Sequence, residues 1–434
     1  MATKHLIIGA GKAALSALEE IRRVAPEDEV KLVSMEDCPP YTPAALIHLL
    51  SGRITEAGLW MKDEDYLRNL RGILVTGKEV VRVLPEKKRV IYQDGSPENY
   101  DTLLIASGSK AIRPLIEGLE EAGVDDFKTL TDCRRLLRKL TGKQNVAILG
   151  AGMTGMSIGA ALLERGCQVS IIEKEQNVLP QQFDEEAVVY IRDIFVDHQA
   201  RFFTGKSVAA VSRMGEKIRI ALSDGTSLDA DILINATGVR SRISFLEGTG
   251  VRIRDGVLVD KRMRTDVDHI YAAGDVAETQ DFFTGNPKIN AIIPSAVRQG
   301  RVAGANMAGV ASEYEGGIPM AAFNFMGNQA FSIGLSMPQD NGGQVLKQID
   351  DQKRRFKKLV FDGNRLVGGM FLNENIDPGI ILYLIKERVD MTSHKEALFE
   401  GTKPLSDPWL SSLKFYPAPS RIPAARCWTY STVR

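Results

Sequence analysis

Two glycine-rich turns, about 140 residues apart, each close a strand and open a helix. The first reads His5-Leu6-Ile7-Ile8-Gly9-Ala10-Gly11-Lys12-Ala13-Ala14. The second reads Val146-Ala147-Ile148-Leu149-Gly150-Ala151-Gly152-Met153-Thr154-Gly155. One helix and one strand later each is followed by an acid, Glu36 after Val30-Lys31-Leu32-Val33 and Glu173 after Val169-Ser170-Ile171-Ile172. In such a turn the first glycine permits a sharp strand-to-helix reversal, and the second lets the backbone approach a pyrophosphate. The third small residue, here Ala14 or Gly155, lets helix and strand pack closely. The helix start, Met153-Thr154 in the second motif, presents N–H groups and partial positive charge to phosphates. The acid accepts hydrogen bonds from ribose hydroxyls. A single motif of this kind is weak evidence; strand, turn, helix and acid in place twice is not. The fold expected is α/β with two Rossmann-like dinucleotide-binding domains, in a chain that moves electrons between two dinucleotides.

Glu173 narrows the second ligand. A carboxylate that binds a 2′-hydroxyl repels a 2′-phosphate, so NADH is expected over NADPH, a preference that the adjacent Lys174 softens.

The chain has 434 residues, too many for one small domain. With 44% hydrophobic and 25% charged residues it has the balance of a soluble globular protein. A formal net charge of zero gives no global field for nucleic acid. The first strand follows almost directly on Met1, without the basic and apolar regions of a secretory leader, and no apolar run nears the roughly 18–20 residues of a membrane span. The expectation is a cytoplasmic protein. Cys38, Cys133, Cys167 and Cys427 form neither a C-x-x-C nor a C-x4-C pair. No metal site is therefore expected, and the four read as buried or incidental thiols.

Both glycine regions continue alike. Arg89-Val90-Ile91-Tyr92 before Asp94-Gly95, and Ile218 to Leu222 before Asp224-Gly225, read as hairpins. Each region then ends on an apolar strand and a small-residue turn, Leu103-Leu104-Ile105-Ala106-Ser107-Gly108 and Ile232-Leu233-Ile234-Asn235-Ala236-Thr237-Gly238. Leu130 to Leu140 reads as a connecting helix. Thr265 to Asp275 reads as a strand ending in Gly274-Asp275, an acid placed to bond a polyol such as ribitol. From about residue 318 the pattern becomes α+β, with a hairpin around Asp362-Gly363-Asn364 and a helix from about Pro378 to Lys386. The tail from Gly401 is proline-punctuated, aromatic and basic, with Trp409, Phe415, Tyr416, Trp428 and Tyr430. It reads as an arm docking on another chain or as a wrap on its own domain.

The ordered set of these turns, with Ile292 to Gly300, resembles the pyridine nucleotide–disulfide oxidoreductase family over about residues 4–312. The resemblance implies FAD in the first half-site, at Gly9, Gly11, Ala14, Glu36, Val80, Ser107, Gly108, Gly274 and Asp275. Ser295 and Ala296 would start a helix facing the flavin pyrimidine. It implies NAD(H) in the second, at Gly150, Gly152, Met153, Thr154, Gly155, Glu173 and Gly238. The domains implied are 1–112 and 245–317 for FAD, an inserted 113–244 for NAD, 318–400 resembling the family's interface domain only loosely, and the tail 401–434.

Departures from the family narrow the function. Disulfide reductases of the family carry a cysteine pair early in the FAD domain, which is missing here. Coenzyme A disulfide reductases and related NADH oxidases carry one cysteine, where this chain has Ala44; Cys38 lies six residues upstream. The cysteine-free branch, which contains ferredoxin, rubredoxin and putidaredoxin reductases, pairs a lysine with a glutamate near the nicotinamide. Here those positions are His48 and Ser157, so both partners have changed together, as the cost of one lone buried charge requires. His48 is a candidate beside the flavin, against a plain reading as a histidine satisfied in its helix.

The expectation is an FAD-dependent NAD(H):acceptor oxidoreductase partnered by an iron–sulfur protein or subunit. The pattern, tail included, resembles the flavin subunit of NAD-linked 2-oxoacid dehydrogenases of phenylglyoxylate type. The alternatives are a stand-alone NADH oxidase or ferredoxin or quinone reductase, and an NADH-responsive interaction protein.

Overall fold

The structure is a computed structural model describing residues 2–61, 64–339 and 342–401. The expected aromatic arm, with Trp409, Trp428 and Cys427, lies outside the described residues.

Strand Lys4–Ile8 is apolar on both faces, as the interior of a parallel sheet demands, and Leu6, Ile7 and Ile8 are buried. It pairs in parallel with Glu29–Val33 on one side and Thr102–Ile105 on the other. The five-stranded sheet runs Ile270–Ala272, Thr102–Ile105, Lys4–Ile8, Glu29–Val33, Gly72–Val75. The second glycine motif builds a sheet of the same plan: Asp125–Asp126, Ile232–Asn235, Asn145–Leu149, Gln168–Glu173, Arg201–Thr204. In the first sheet the fifth strand arrives after the second unit; in the second it precedes it. The chain therefore leaves one unit, completes the other and returns. It crosses on two adjacent strands, Ser109–Ala111 and Val239–Ser241, which pair antiparallel.

Helix Ile293–Met307 lies across helix Lys12–Val24. A Cβ on Gly300 would stand 2.2 Å from the Ala13 carbonyl oxygen, and one on Gly304 would stand 2.6 Å from that of Ala17. Only glycine allows this approach, and it brings the start of Ile293–Met307 to the mouth of the first glycine turn. The segment read as a strand from Thr265 is a strand only over Ile270–Ala272. Asp266 is held by the Arg252 backbone and guanidinium, and His269 is left-handed, so the preceding residues form a loop.

Residues beyond 318 form an antiparallel sheet in the order Met320–Phe325, Asn328–Gly334, Arg365–Leu372, Arg355–Asp362, Gln344–Asp350, with helix Pro378–Lys386 packed on it. This sheet meets helix Glu185–Asp197 of the second unit along a polar seam. Lys358 Nζ is 2.6 Å from Asp184, Lys347 pairs with Glu186 at 2.6 Å, and Arg354 pairs with Asp197. Phe195 stacks on Phe325 beneath them, with ring centroids 5.4 Å apart.

Candidate functional site

Gly9 sits at φ +120°, where its backbone turns from strand to helix, and a Cβ there would lie 2.2 Å from the Ala106 carbonyl oxygen. Side chains rarely adopt that backbone, so the turn needs glycine twice over. At Gly11 a Cβ would meet no protein atom within 4 Å. That position faces open space, a cleft of about 900 Å3, near the top of the ~300–1,000 Å3 usual for ligand sites.

The cleft gathers most of the first half-site. Gly9, Gly11, Glu36, Val80, Ser107, Gly108, Gly274, Asp275 and Ala296 all line it, as does His48. Ala14 is fully buried behind the turn, in the packing position that the motif assigns it. Ser295 is placed differently from its expected contact with a flavin ring. It is buried behind the cleft wall, accepts from the Tyr314 hydroxyl at 3.2 Å, and borders a separate void of about 40 Å3. The helix reaches the cleft through Ile292, Ile293 and Ala296 instead.

The second unit reaches this cleft through Met153, Thr154 and Ser157. Gly150, Gly152, Gly155, Glu173 and Gly238 lie away from it, on their own turn. A Cβ on Gly155 would stand 1.9 Å from the Gly150 carbonyl oxygen, while one on Gly152 would meet nothing within 4 Å. Glu173 is buried, and its carboxylate accepts from Ala151 N at 2.7 Å and Glu175 N at 3.0 Å. The acid thus also fixes the turn it serves.

Polar groups converge on Asp275. Ser109 Oγ donates to its Oδ2 at 3.0 Å, and Lys128 Nζ lies 3.6 Å away. At the other end of the cleft Tyr41 donates to Glu36 Oε2 at 2.7 Å. Five basic side chains line the cleft, Lys12, Lys78, Lys110, Lys128 and Arg242, against the acids Glu36, Glu79 and Asp275. This balance favours a diphosphate between two carboxylates that can each hold a polyol. The residues present therefore fit FAD. Ser109, Lys128 and Tyr41 escape sequence inspection. Lys128 could have been placed by the capping signal Thr129-x-x-Asp132 that starts the next helix, a capping box in the structure.

His48 and Ser157 both line the cleft. Burial, and then the Arg53 charge, lower the His48 pKa, so its imidazole is neutral at pH 7. Ala44 lines the cleft as well, and so does Cys38. Burial, and next the Glu36 carboxylate, push the Cys38 thiol up to about 11. The thiolate is the nucleophile, so Cys38 is inert near neutrality. Its alkylation by iodoacetamide is expected to accelerate about tenfold per pH unit well past pH 9; a rate that levels off by pH 8.5 would contradict this.

No helix among the described residues is long and apolar enough to cross a membrane, and no group of three or more His, Cys, Asp or Glu side chains among them is arranged to hold a metal.

Residues 3–300 match the family described as pyridine nucleotide-disulphide oxidoreductase, and residues 319–389 match the rubredoxin NAD+ reductase C-terminal domain. The second match makes the C-terminal domain more specific than its loose sequence resemblance indicated. The chain is 32% identical to the NADH-dependent phenylglyoxylate dehydrogenase subunit epsilon of Aromatoleum evansii, over 90% of this chain and 93% of that one. It is 26% identical to the rubredoxin-NAD(+) reductase of Pseudomonas putida, over 71% of this chain and 80% of that one. In fold it is similar to putidaredoxin reductase in its covalent complex with putidaredoxin, with a TM-score of 0.85 and 19% identity, covering 95% and 99% of the two chains.

Proposed function

Because the chain belongs to the pyridine nucleotide-disulphide oxidoreductase family, and is an FAD- and NAD(H)-dependent oxidoreductase, we propose that it exchanges electrons between NAD(H) and an iron–sulfur protein or subunit. The observation that carries this reading is the thiol chemistry of the cleft. Ala44 lines the cleft at the position where the family resemblance implies a cysteine in thiol-using members, and Cys38, which also lines it, is protonated at neutral pH. Electrons leaving the flavin then need an acceptor outside the described residues. The name of the phenylglyoxylate dehydrogenase subunit and the rubredoxin reductase match to residues 319–389 support the same reading. Within it, the chain is the flavin subunit of an NAD-linked 2-oxoacid dehydrogenase, with residues 401–434 docking on a partner subunit.

FAD supplies the conversion between a two-electron hydride and single electrons. The chain supplies position and charge. The N–H groups at the start of Lys12–Val24 would hold the diphosphate, Glu36 would hold the adenosine ribose, and Asp275, fixed by Ser109 and Lys128, would hold the ribityl hydroxyls. The positive end of Ile293–Met307 reaches the cleft at Ile292 and Ile293 and would favour negative charge on a flavin bound there. The turn at Gly150 to Gly155, with Glu173 and Gly238, would hold NADH. His48, neutral and half-buried, lines the cleft without adding a charge.

The test is anaerobic reduction of the holoprotein by NADH, followed by mixing with a ferredoxin-type protein, a soluble quinone or oxygen. Re-oxidation by the iron–sulfur protein is expected to be at least about tenfold faster than by either alternative. Rapid re-oxidation by air without a partner would favour a stand-alone oxidase instead.

A further inference from the structure

Tyr41 has no role in the reading above, yet it joins two parts of the site. Its phenol is buried, 7% exposed, in the loop that follows strand Glu29–Val33. It donates to Glu36 Oε2 at 2.7 Å and accepts from Leu130 N at 2.8 Å. Leu130 is the first residue of helix Leu130–Lys139, so this N–H is one that the helix cannot satisfy internally. The same short connector carries Lys128, whose ammonium stands 3.6 Å from Asp275. One stretch, residues 127–130, thus reaches Asp275 directly and Glu36 through the Tyr41 hydroxyl, and Phe127, Lys128 and Thr129 also line the cleft wall.

The phenol has one proton, and burial with the adjoining carboxylate keeps it on the oxygen. With Leu130 N donating to it, that proton has one place to go, Glu36 Oε2. The carboxylate is thereby turned in one direction. Its Oε1 has no hydrogen-bond partner among the described residues, and Glu36 lines the cleft. A carboxylate with one oxygen tied and the other presented is pre-set to accept from a ribose hydroxyl, and the rotamer entropy is lost on folding rather than on binding.

We propose that Tyr41 is a positioning residue for the first dinucleotide: it orients Glu36 toward the adenosine ribose of FAD and anchors that acid to the connector between strand Asp125–Asp126 and helix Leu130–Lys139 of the second unit. The proposal rests on FAD occupying the first half-site. It predicts that the phenol acts through Glu36 and through nothing else at the site.

A double-mutant cycle on FAD binding tests this, with apoprotein titrated by FAD and followed by flavin fluorescence. Tyr41→Phe keeps the ring in the core and removes only the hydroxyl. It is expected to raise the FAD Kd about tenfold. Glu36→Gln is expected to raise it at least as much. In the Glu36→Gln background, Tyr41→Phe is expected to change the Kd by less than about twofold, because the residue through which it acts is already disabled. An equal tenfold loss in both backgrounds marks a merely structural tyrosine and overturns the proposal, as does no loss in either. Wild-type protein that takes up no FAD overturns the assignment of the first half-site instead, so the two failures are distinguishable.

Discussion

Gly11→Ala is expected to yield protein that folds but purifies without flavin, and Gly152→Ala protein that keeps its flavin and is not reduced by NADH. The geometry makes these two positions clean probes. A Cβ at either meets no protein atom within 4 Å, and neither has a left-handed backbone, so the fold loses little. Both are N-cap positions, where Ala for Gly costs about 1 kcal/mol or less. The added methyl instead stands where the ligand backbone must approach, between the diphosphate and the N–H groups at the helix start. Each change is expected to weaken its own dinucleotide at least about a hundredfold, or ~2.7 kcal/mol. The flavin absorbance per chain after purification reads the first. The rate of flavin bleaching by NADH reads the second. The same substitution at Gly9 or Gly155 serves poorly, because its Cβ would meet backbone at 2.2 or 1.9 Å and the turn itself would fail. Flavin lost from Gly152→Ala and kept in Gly11→Ala would reverse the assignment of the two half-sites.

The second large effect lies on the seam between the second unit and the C-terminal sheet. Lys358 is 5% exposed in its side chain and reaches Asp184 at 2.6 Å. Asp184 also caps helix Glu185–Asp197, accepting from Ala187 N at 3.0 Å through its other oxygen. Asp184→Ala therefore removes a cap and strands a buried ammonium. Breaking a buried pair in this way costs about 3–5 kcal/mol, and loss of the cap adds about 1. Lys358→Met leaves Asp184, 19% exposed, still able to cap, and fills the same volume with apolar atoms, so it is expected to cost less than about 1.5 kcal/mol. Adding Lys358→Met to Asp184→Ala is expected to recover most of the loss. Urea unfolding of the holoproteins reads the series. A double variant no more stable than Asp184→Ala would show that the stranded charge is not the cause.

What could be read from the sequence depended on how local the physics is. The glycine turns were legible because the strand-to-helix reversal, the close approach and the helix start are all set within ten residues. Asp275 was legible because Gly274 marks the end of its strand. Tyr41 was not, because its meaning lies in Leu130, 89 positions away. Strand Asp125–Asp126 was not, because two acidic residues carry no apolar alternation; only pairing with Ile234 and Asn235 makes them a strand. Ser295 was expected to face the cleft from its place at a helix start. Packing of Gly300 and Gly304 on the neighbouring helix sets the rotation of Ile293–Met307, and the hydroxyl falls behind the wall.

The antiparallel pairing of Ser109–Ala111 with Val239–Ser241 also bears on how such a protein can be built. Cα atoms facing one another across such a pair lie about 4.5–5.5 Å apart. The inserted unit therefore begins and ends at nearly one point. Exchange for another unit of the same plan would leave the strand connections of the host in place, provided that the newcomer supplied the contacts now made by Lys128 to Asp275 and by Leu130 to Tyr41.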